Sequence, residues 1–236
     1  MNGGQLSRQA DRAAPASFGA GNREPYDRAL RRGHGTLHLH RVTGGIPRTD
    51  AGVWRIEVER FLAPADAGDL AAIANIDGPV LDIGCGPGRM VKAAIDQGHL
   101  TLGIDVSTAA VSIARDQGLP VMRTSVFDPI PAEGTWGTVL LFDGNIGIGG
   151  DPRALLERCW QLLRPGGRIL IETHADPDRD VTISGVIVDD FQRASLPFPW
   201  TEIGSRSLRA DASAAGLAVT REWTAAGRSF VEYERP

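Results

Sequence analysis

At 236 residues the chain has room for one α/β domain with an added segment, or for two small domains at most. Hydrophobic residues make up 42% and charged residues 23%, with a formal net charge of -4 and no block of like charge; that balance suits a globular protein and argues against a nucleic-acid partner, which would need a basic surface. No apolar run approaches the roughly 18–20 residues of a membrane span, and the two cysteines, Cys85 and Cys159, make no disulfide framework, so reduced thiols in a cytoplasmic protein are expected.

Residues 1–23 have no apolar core of the kind a secretory signal carries, and their Gly, Ser, Ala, Arg and Gln content reads as a disordered tail. Glu24 to Arg32 is expected to be a short helix, with Pro25 suited to its first turn and Gly33 ending it. Thr36 to Val42 and Val53 to Val58 each alternate with a period of two, separated by Gly44-Gly45-Ile46-Pro47, and read as a hairpin or as two separate strands. A helix is expected over Asp66 to Ile76. Residues 24–78 thus form an N-terminal helix-and-hairpin addition.

From Pro79 the pattern changes to apolar runs alternating with amphipathic helices. Strands are expected at Val80–Ile83, Leu100–Ile104, Val121-Met122, Thr138–Phe142 and Arg168–Thr173. The intervening helices are Arg89–Gln97, Thr108–Gln117 behind the N-cap Ser107, and Arg153–Leu163. Arg164-Pro165-Gly166-Gly167-Arg168 reads as a helix-to-strand turn. This alternation implies a parallel sheet covered on both faces, with the strand C-termini along one ligand-binding edge. After Thr173 come a strand at Val181–Val188, an aromatic and proline-rich loop at Phe191–Trp200, a helix at Ser205–Ala215, and two strands, Ala218–Trp223 and Arg228–Tyr233, close enough to pair antiparallel.

The chemistry concentrates at those strand ends. Asp82-Ile83-Gly84-Cys85-Gly86-Pro87-Gly88-Arg89 places glycine at alternate positions between a strand and a helix, where backbone N–H groups can approach a ligand. A dinucleotide site wants G-x-G-x-x-G, and Arg89 occupies the position of its helix-packing glycine. Asp105 ends the next strand about 20 residues on, a place from which a carboxylate can accept both ribose hydroxyls. Asp128, beside Phe127, follows the third strand and on its own reads as a turn residue before Pro129. Asp143-Gly144-Asn145-Ile146-Gly147 follows the fourth.

This ordered set resembles the class I S-adenosylmethionine-dependent methyltransferases over roughly Val80 to Thr173. The resemblance implies a Rossmann-like, mostly parallel sheet finished by a C-terminal antiparallel strand pair, with the N-terminal addition as a lid over a methyltransferase domain spanning residues 79–236. It implies S-adenosylmethionine as cofactor, with Asp82, Gly84, Gly86 and Gly88 at the methionine and ribose side, Asp105 on the ribose, Phe127 and Asp128 at the adenine, and Asp143 and Asn145 near the methionine amino group or the acceptor. His174, at the end of a strand on the functional edge, and Asp143 are the candidate catalytic bases.

The substrate side is assigned to Tyr26, Trp54 and Trp200, and the acceptor is expected to be a small molecule, the family's base-methylating and metal-dependent signatures being absent. His34, His38 and His40 lack the further ligands of a metal site, so no metal is expected. A homodimer is left open. The alternatives are a cofactor-binding module that transfers no methyl group and an NAD-type oxidoreductase.

Overall fold

A computed structural model describes residues 18–19, 24–43, 46–48 and 54–236. The expected tail, apart from Phe18 and Gly19, and the Gly44-Gly45 break with Val53 lie outside the described residues.

Helix α1 (Pro25–Arg32) begins on its proline and is closed by Gly33 in the left-handed region at φ 81. Strands β1 (Thr36–Thr43), β2 (Ile46–Arg48) and β3 (Trp54–Glu57) follow. Strand β1 pairs antiparallel with β2 through residues 41–43 and with β3 through residues 36–39. These three do not stand alone. Strands β9 (Asp180–Asp189) and β10 (Phe198–Ile203), from far along the chain, complete an antiparallel sheet in the order β10-β9-β1-β2, with β3 against β1. The expected boundary at residue 79 is therefore crossed by a shared sheet. The expected loop over Phe191–Trp200 ends in a strand despite Pro199, because β10 pairs on one side only and an edge strand tolerates a missing N–H.

Two further expectations are corrected here. Val58 leaves the strand to begin helix α2 (Val58–Leu62), burying its side chain completely. Helix α3 is shorter than expected, Ala67–Ala72; Asp66 and Asp69 cap it reciprocally, and a tighter turn from Ile76 N–H to Ile73 O follows it.

The second sheet carries the expected alternation. Strands β4 (Val80–Ile83), β5 (Thr101–Asp105), β6 (Val121–Arg123), β7 (Trp136–Leu141) and β8 (Leu163–Thr173) are parallel, and β12 (Arg228–Glu234) and β11 (Ala218–Ala225) add the antiparallel pair, in the order β11-β12-β8-β7-β4-β5-β6. Every residue of β4 and β7 is buried, as a sheet covered on both faces requires. Helices α4 (Arg89–Asp96), α5 (Thr108–Asp116), α6 (Pro152–Leu162) and α7 (Ser205–Ala214) are amphipathic and bury one side each. Strand β8 starts earlier than expected because Leu163 already pairs with Trp136; the Arg164–Gly167 turn then loops out and the register shifts before Arg168.

The order of the parallel strands reverses at β4, which lies between β5 and β7, and a cleft opens there at the strand C-termini. Helix α1 joins the two sheets: Tyr26, Ala29 and Leu30 share one apolar cluster with Leu37, Leu39 and Phe198 of the first sheet and with Ala109 and Ala110 of α5. Among the described residues no helix is long and apolar enough to cross a membrane.

Leu37 is fully buried in that joint cluster. Leu37→Ala is expected to lower stability by about 2–5 kcal/mol in urea denaturation, through a single transition. A loss well under 1 kcal/mol, or a separate early transition, would show that the first sheet is not part of the common core.

Candidate active site

A cavity of about 840 Å³ lies over the ends of β4, β5, β7 and β8, and the antiparallel sheet with Tyr26 and Phe18 closes its other side. That size suits a cofactor with a small second ligand.

The glycine turn forms its floor. Gly84 and Gly86 adopt φ 69 and φ 55. A Cβ on Gly84 would stand 2.6 Å from Asn145 Nδ2, whose amide donates to Ile83 O at 2.8 Å and Gly84 O at 3.1 Å. Asn145 therefore latches the turn through the backbone of β4. Gly86 faces open space except for the Tyr26 hydroxyl, which places Tyr26 over the glycine turn rather than on the expected substrate side. Gly88 does not line the cavity; at φ 93 it starts α4, and a Cβ there would lie 2.5 Å from Leu119 Cδ1. Its requirement for glycine is one of packing.

Asp105 is held from two sides: Gly86 N–H donates to Oδ2 at 2.8 Å and Ser107 N–H to Oδ1 at 2.7 Å. Burial raises its carboxyl to about 6, and those two donors limit the rise. Ser107 also caps α5 and donates its hydroxyl to the buried Asp27 of α1 at 2.5 Å. The N-terminal helix is thereby tied to the residue that orients Asp105. Asp82 is different. Its Oδ2 is buried with no partner, and burial, helped by the negative charges of Asp143 and Asp105, raises its carboxyl to about 8.

Beyond Asp82 lies a network of three guanidiniums and four carboxylates. Arg89, the residue in place of a dinucleotide-site glycine, is buried and bridges Asp69 to Asp143. Arg228 binds Glu172 through Nε at 2.8 Å and Asp69 at 2.5 Å, and Arg60 reaches Asp66 at 3.0 Å and Asp143 at 3.4 Å. Burial alone would lower the Arg228 pKa; the hydrogen bond to Glu172 and the charges of Glu172, Asp143 and Asp66 outweigh it and hold the pKa above its ordinary value. Asp143 itself sits at φ 54 with its N–H on Glu172 Oε2 at 2.7 Å. Its carboxylate, expected as a candidate base, is engaged by the guanidiniums of Arg89 and Arg60.

The glycine-rich loop that follows is an interlocked surface. Cβ atoms on Gly144, Gly147 and Gly150 would run into Trp54, Trp200 and Pro199, at 2.6, 2.8 and 2.7 Å. These close approaches bring Trp54 of β3 and Trp200 of β10 onto the cavity wall, their ring centroids 6.5 Å apart. Ile148 bridges to Trp200, so the loop also touches the first sheet through its backbone.

His174 lines the cavity rim and is exposed. Its Nδ1 accepts the Asp176 N–H at 3.0 Å, which leaves Nε2 as the ring nitrogen not engaged by that turn. Thr124 to Phe127 line the cavity but Asp128 does not: its carboxylate accepts the Ser125 N–H at 3.3 Å, the turn-residue alternative. Sequence reasoning missed the network residues Arg60, Asp69, Glu172 and Arg228. Their pairings span up to 159 positions, and no local pattern marks them.

A family model described as a methyltransferase domain matches residues 52–222 of the chain. A ubiquinone biosynthesis O-methyltransferase of Paraburkholderia xenovorans is 33% identical over 101 residues, covering 40% of this chain and 43% of that protein; one of Leptothrix cholodnii is 29% identical over 109 residues, covering 43% and 46%. The chain matches less than half the length of these curated relatives. Among solved structures, an S-adenosylmethionine-dependent methyltransferase of Bacteroides fragilis in complex with S-adenosylhomocysteine superposes with a TM-score of 0.70 at 20% identity, over 90% of this chain and 94% of that one. The 1,6-didemethyltoxoflavin N1-methyltransferase of Burkholderia thailandensis gives 0.53 at 18% identity, over 72% and 78%. Those two likenesses concern the fold.

Two outcomes follow from the charges. Between about pH 4 and about pH 8 the unfolded chain releases the Asp82 proton while the folded chain keeps it, so Asp82 makes the unliganded protein less stable as pH rises through that window. Asp82→Asn is expected to be increasingly stable relative to the parent from about pH 5 to about pH 8 in denaturant titrations; a gap that does not change with pH would contradict the assignment. Arg89→Ala, which leaves Asp69 buried beside only part of its counter-charge, is expected to cost about 3–5 kcal/mol in the same measurement.

Proposed function

The chain belongs to the methyltransferase family, and we propose that it transfers a methyl group from S-adenosylmethionine to a small-molecule acceptor by in-line displacement. One observation carries the cofactor reading: the cavity floor has a buried carboxylate, Asp82, with an uncompensated oxygen, whereas Asp143 and Glu172 beside it are paired with guanidiniums. Burial keeps that carboxyl protonated up to about pH 8 in the unliganded protein; a cation beside it would favour the charged form, and the ammonium group of S-adenosylmethionine is such a ligand. Asp105, oriented by Gly86 and Ser107, has lone pairs left for the two ribose hydroxyls. Thr124 to Phe127 supply the wall for the adenine, with Gly84 and Gly86 leaving backbone room between them.

When bound, S-adenosylmethionine supplies an electrophilic methyl group on a positively charged sulfur. The protein's contribution is placement and exclusion of water. Tyr26 covers the glycine turn, Asn145 keeps that turn in register, and Trp54 and Trp200 wall the far half of the cavity. Positioning of this kind contributes up to about 7–11 kcal/mol in favourable models.

Within residues 79–236 the seven-stranded sheet and its helices form the cofactor-binding part, while residues 180–203 act with residues 24–78 as the acceptor side, since they share one sheet. The two unpaired, buried cysteines are in keeping with a reducing compartment such as the cytoplasm. A cofactor-binding protein without transfer remains the second reading, favoured by the pairing of the candidate base Asp143 with guanidiniums. The dinucleotide reading falls with family membership and with Arg89 held in the ionic network.

Incubation with methyl-labelled S-adenosylmethionine and pooled small metabolites is expected to move label into a small product; cofactor binding with no labelled product from any pool would favour the second reading. Asp105→Ala is expected to weaken S-adenosylmethionine binding by about 1.5–3 kcal/mol in calorimetry. Unchanged affinity would remove the ribose assignment.

A further inference from the structure

The nucleobase end of the cavity is carried by the loop between β6 and β7, and the inference drawn from it rests on the methyltransferase reading above. Thr124, Ser125, Val126 and Phe127 line the cavity from that loop. Two apolar side chains anchor it: Val126 and Ile130 are buried in one cluster with Leu155, Leu156 and Cys159 of α6. Their burial keeps the loop on the protein. It does not fix how the loop's peptide planes turn, because apolar burial has no direction.

Direction comes from Arg158 of α6. Its Nε donates to Val126 O and its Nη2 to Asp128 O, each at 2.9 Å, so one edge of the guanidinium holds two loop carbonyls. The other edge grips the Glu133 carboxylate, Nη1 to Oε2 at 3.0 Å and Nη2 to Oε1 at 2.5 Å, and Glu133 Oε1 also accepts the Ile130 N–H at 2.9 Å. A planar fork of this kind fixes orientation as well as distance. Most of the loop's own amides are used within its turn. Thr124 N–H donates to Asp105 O at 3.0 Å and Ser125 N–H to Asp128 Oδ2 at 3.3 Å. Phe127 N–H donates to Ser125 Oγ at 3.2 Å and Asp128 N–H to Ser125 O at 3.1 Å. The Val126 N–H has no such acceptor among the described residues.

We propose that Arg158 is a positioning residue for the cofactor: from α6 it sets the loop that meets the nucleobase, and through that loop it sets how well the protein tells adenine from hypoxanthine. Arg158 does not line the cavity itself and acts only through the carbonyls and the carboxylate it holds. Adenine presents a lone pair on N1 beside an amino group, whereas hypoxanthine presents an N1–H beside a carbonyl, the reverse order. A backbone donor held in one direction suits the first and opposes the second, and a loop free to turn separates them poorly. Lysine at this place would keep the charge and lose the fork.

Calorimetry on the full chain with S-adenosylhomocysteine, S-inosylhomocysteine and methylthioadenosine tests this in the parent and in Arg158→Lys. The first two ligands differ only at the base, and the first and third only at the amino-acid end. In Arg158→Lys the preference for the adenine base is expected to fall about tenfold, while the preference for S-adenosylhomocysteine over methylthioadenosine stays within about twofold. Glu133→Gln, at a partly exposed carboxylate, loosens the same fork without removing the arginine. It is expected to lower the base preference in the same direction, and it keeps the test open if Arg158→Lys does not fold. An unchanged base preference in the variants would overturn the proposal. So would a matching loss for all three ligands, the mark of a merely structural role, or a parent with no preference for adenine. A parent that binds none of the three would instead overturn the methyltransferase reading on which this rests.

Discussion

The Arg89 guanidinium, buried between Asp69 and Asp143, is the interaction on which the rest of the site depends. Arg89 and Asp69, the two members taken fully out of water, would be destabilising singly and are tolerated because each has close counter-charges, while Arg60 and Asp66 close the network at the surface. The network draws together α2 through Arg60, α3 through Asp69, α4 through Arg89, the end of β7 through Asp143, β8 through Glu172 and β12 through Arg228. Those attachments hold Asp143 in its left-handed conformation and set where the following loop begins. Gly144, Gly147 and Gly150 then admit Trp54, Trp200 and Pro199, and the antiparallel sheet comes to rest on the strand ends of the parallel one.

The network also decides which charges a ligand can meet. Asp143 and Glu172 are each paired with arginine guanidiniums. Asp82 and Asp105 are not neutralised in this way, and both lie at the glycine turn. The cavity therefore has one side where carboxyls stand without guanidinium partners and another where the charges are paired and indole rings form the wall.

The parallel sheet was readable because its signals are local. Four or five apolar residues, a glycine stop and an N-cap such as Ser107 lie within one turn of the element they define, and Asp105 stands at a strand end as the spacing implied. The antiparallel sheet was half readable: β1, β3 and β9 alternate, but nothing near β10 shows that it pairs with β9 and tolerates Pro199 as an edge. At the site, the same division holds. Gly84, Gly86 and Asp105 are placed by their own backbone turn, which the glycine spacing and the strand end announce. The surroundings of Asp143, His174 and Asp128 depend on partners, Arg89 at 54 positions away for Asp143 and nearby backbone N–H groups for the other two, which residue type alone does not show. Gly88 was assigned to the ligand, whereas its neighbour Leu119 explains it.

The most direct test is calorimetric titration of the full chain with S-adenosylmethionine, S-adenosylhomocysteine and NAD in parallel. A floor with a buried, unpaired Asp82 and a ribose-oriented Asp105 predicts saturable binding of the first two at one site per chain and no binding of NAD. Binding of NAD with no response to either sulfur nucleoside would contradict the account.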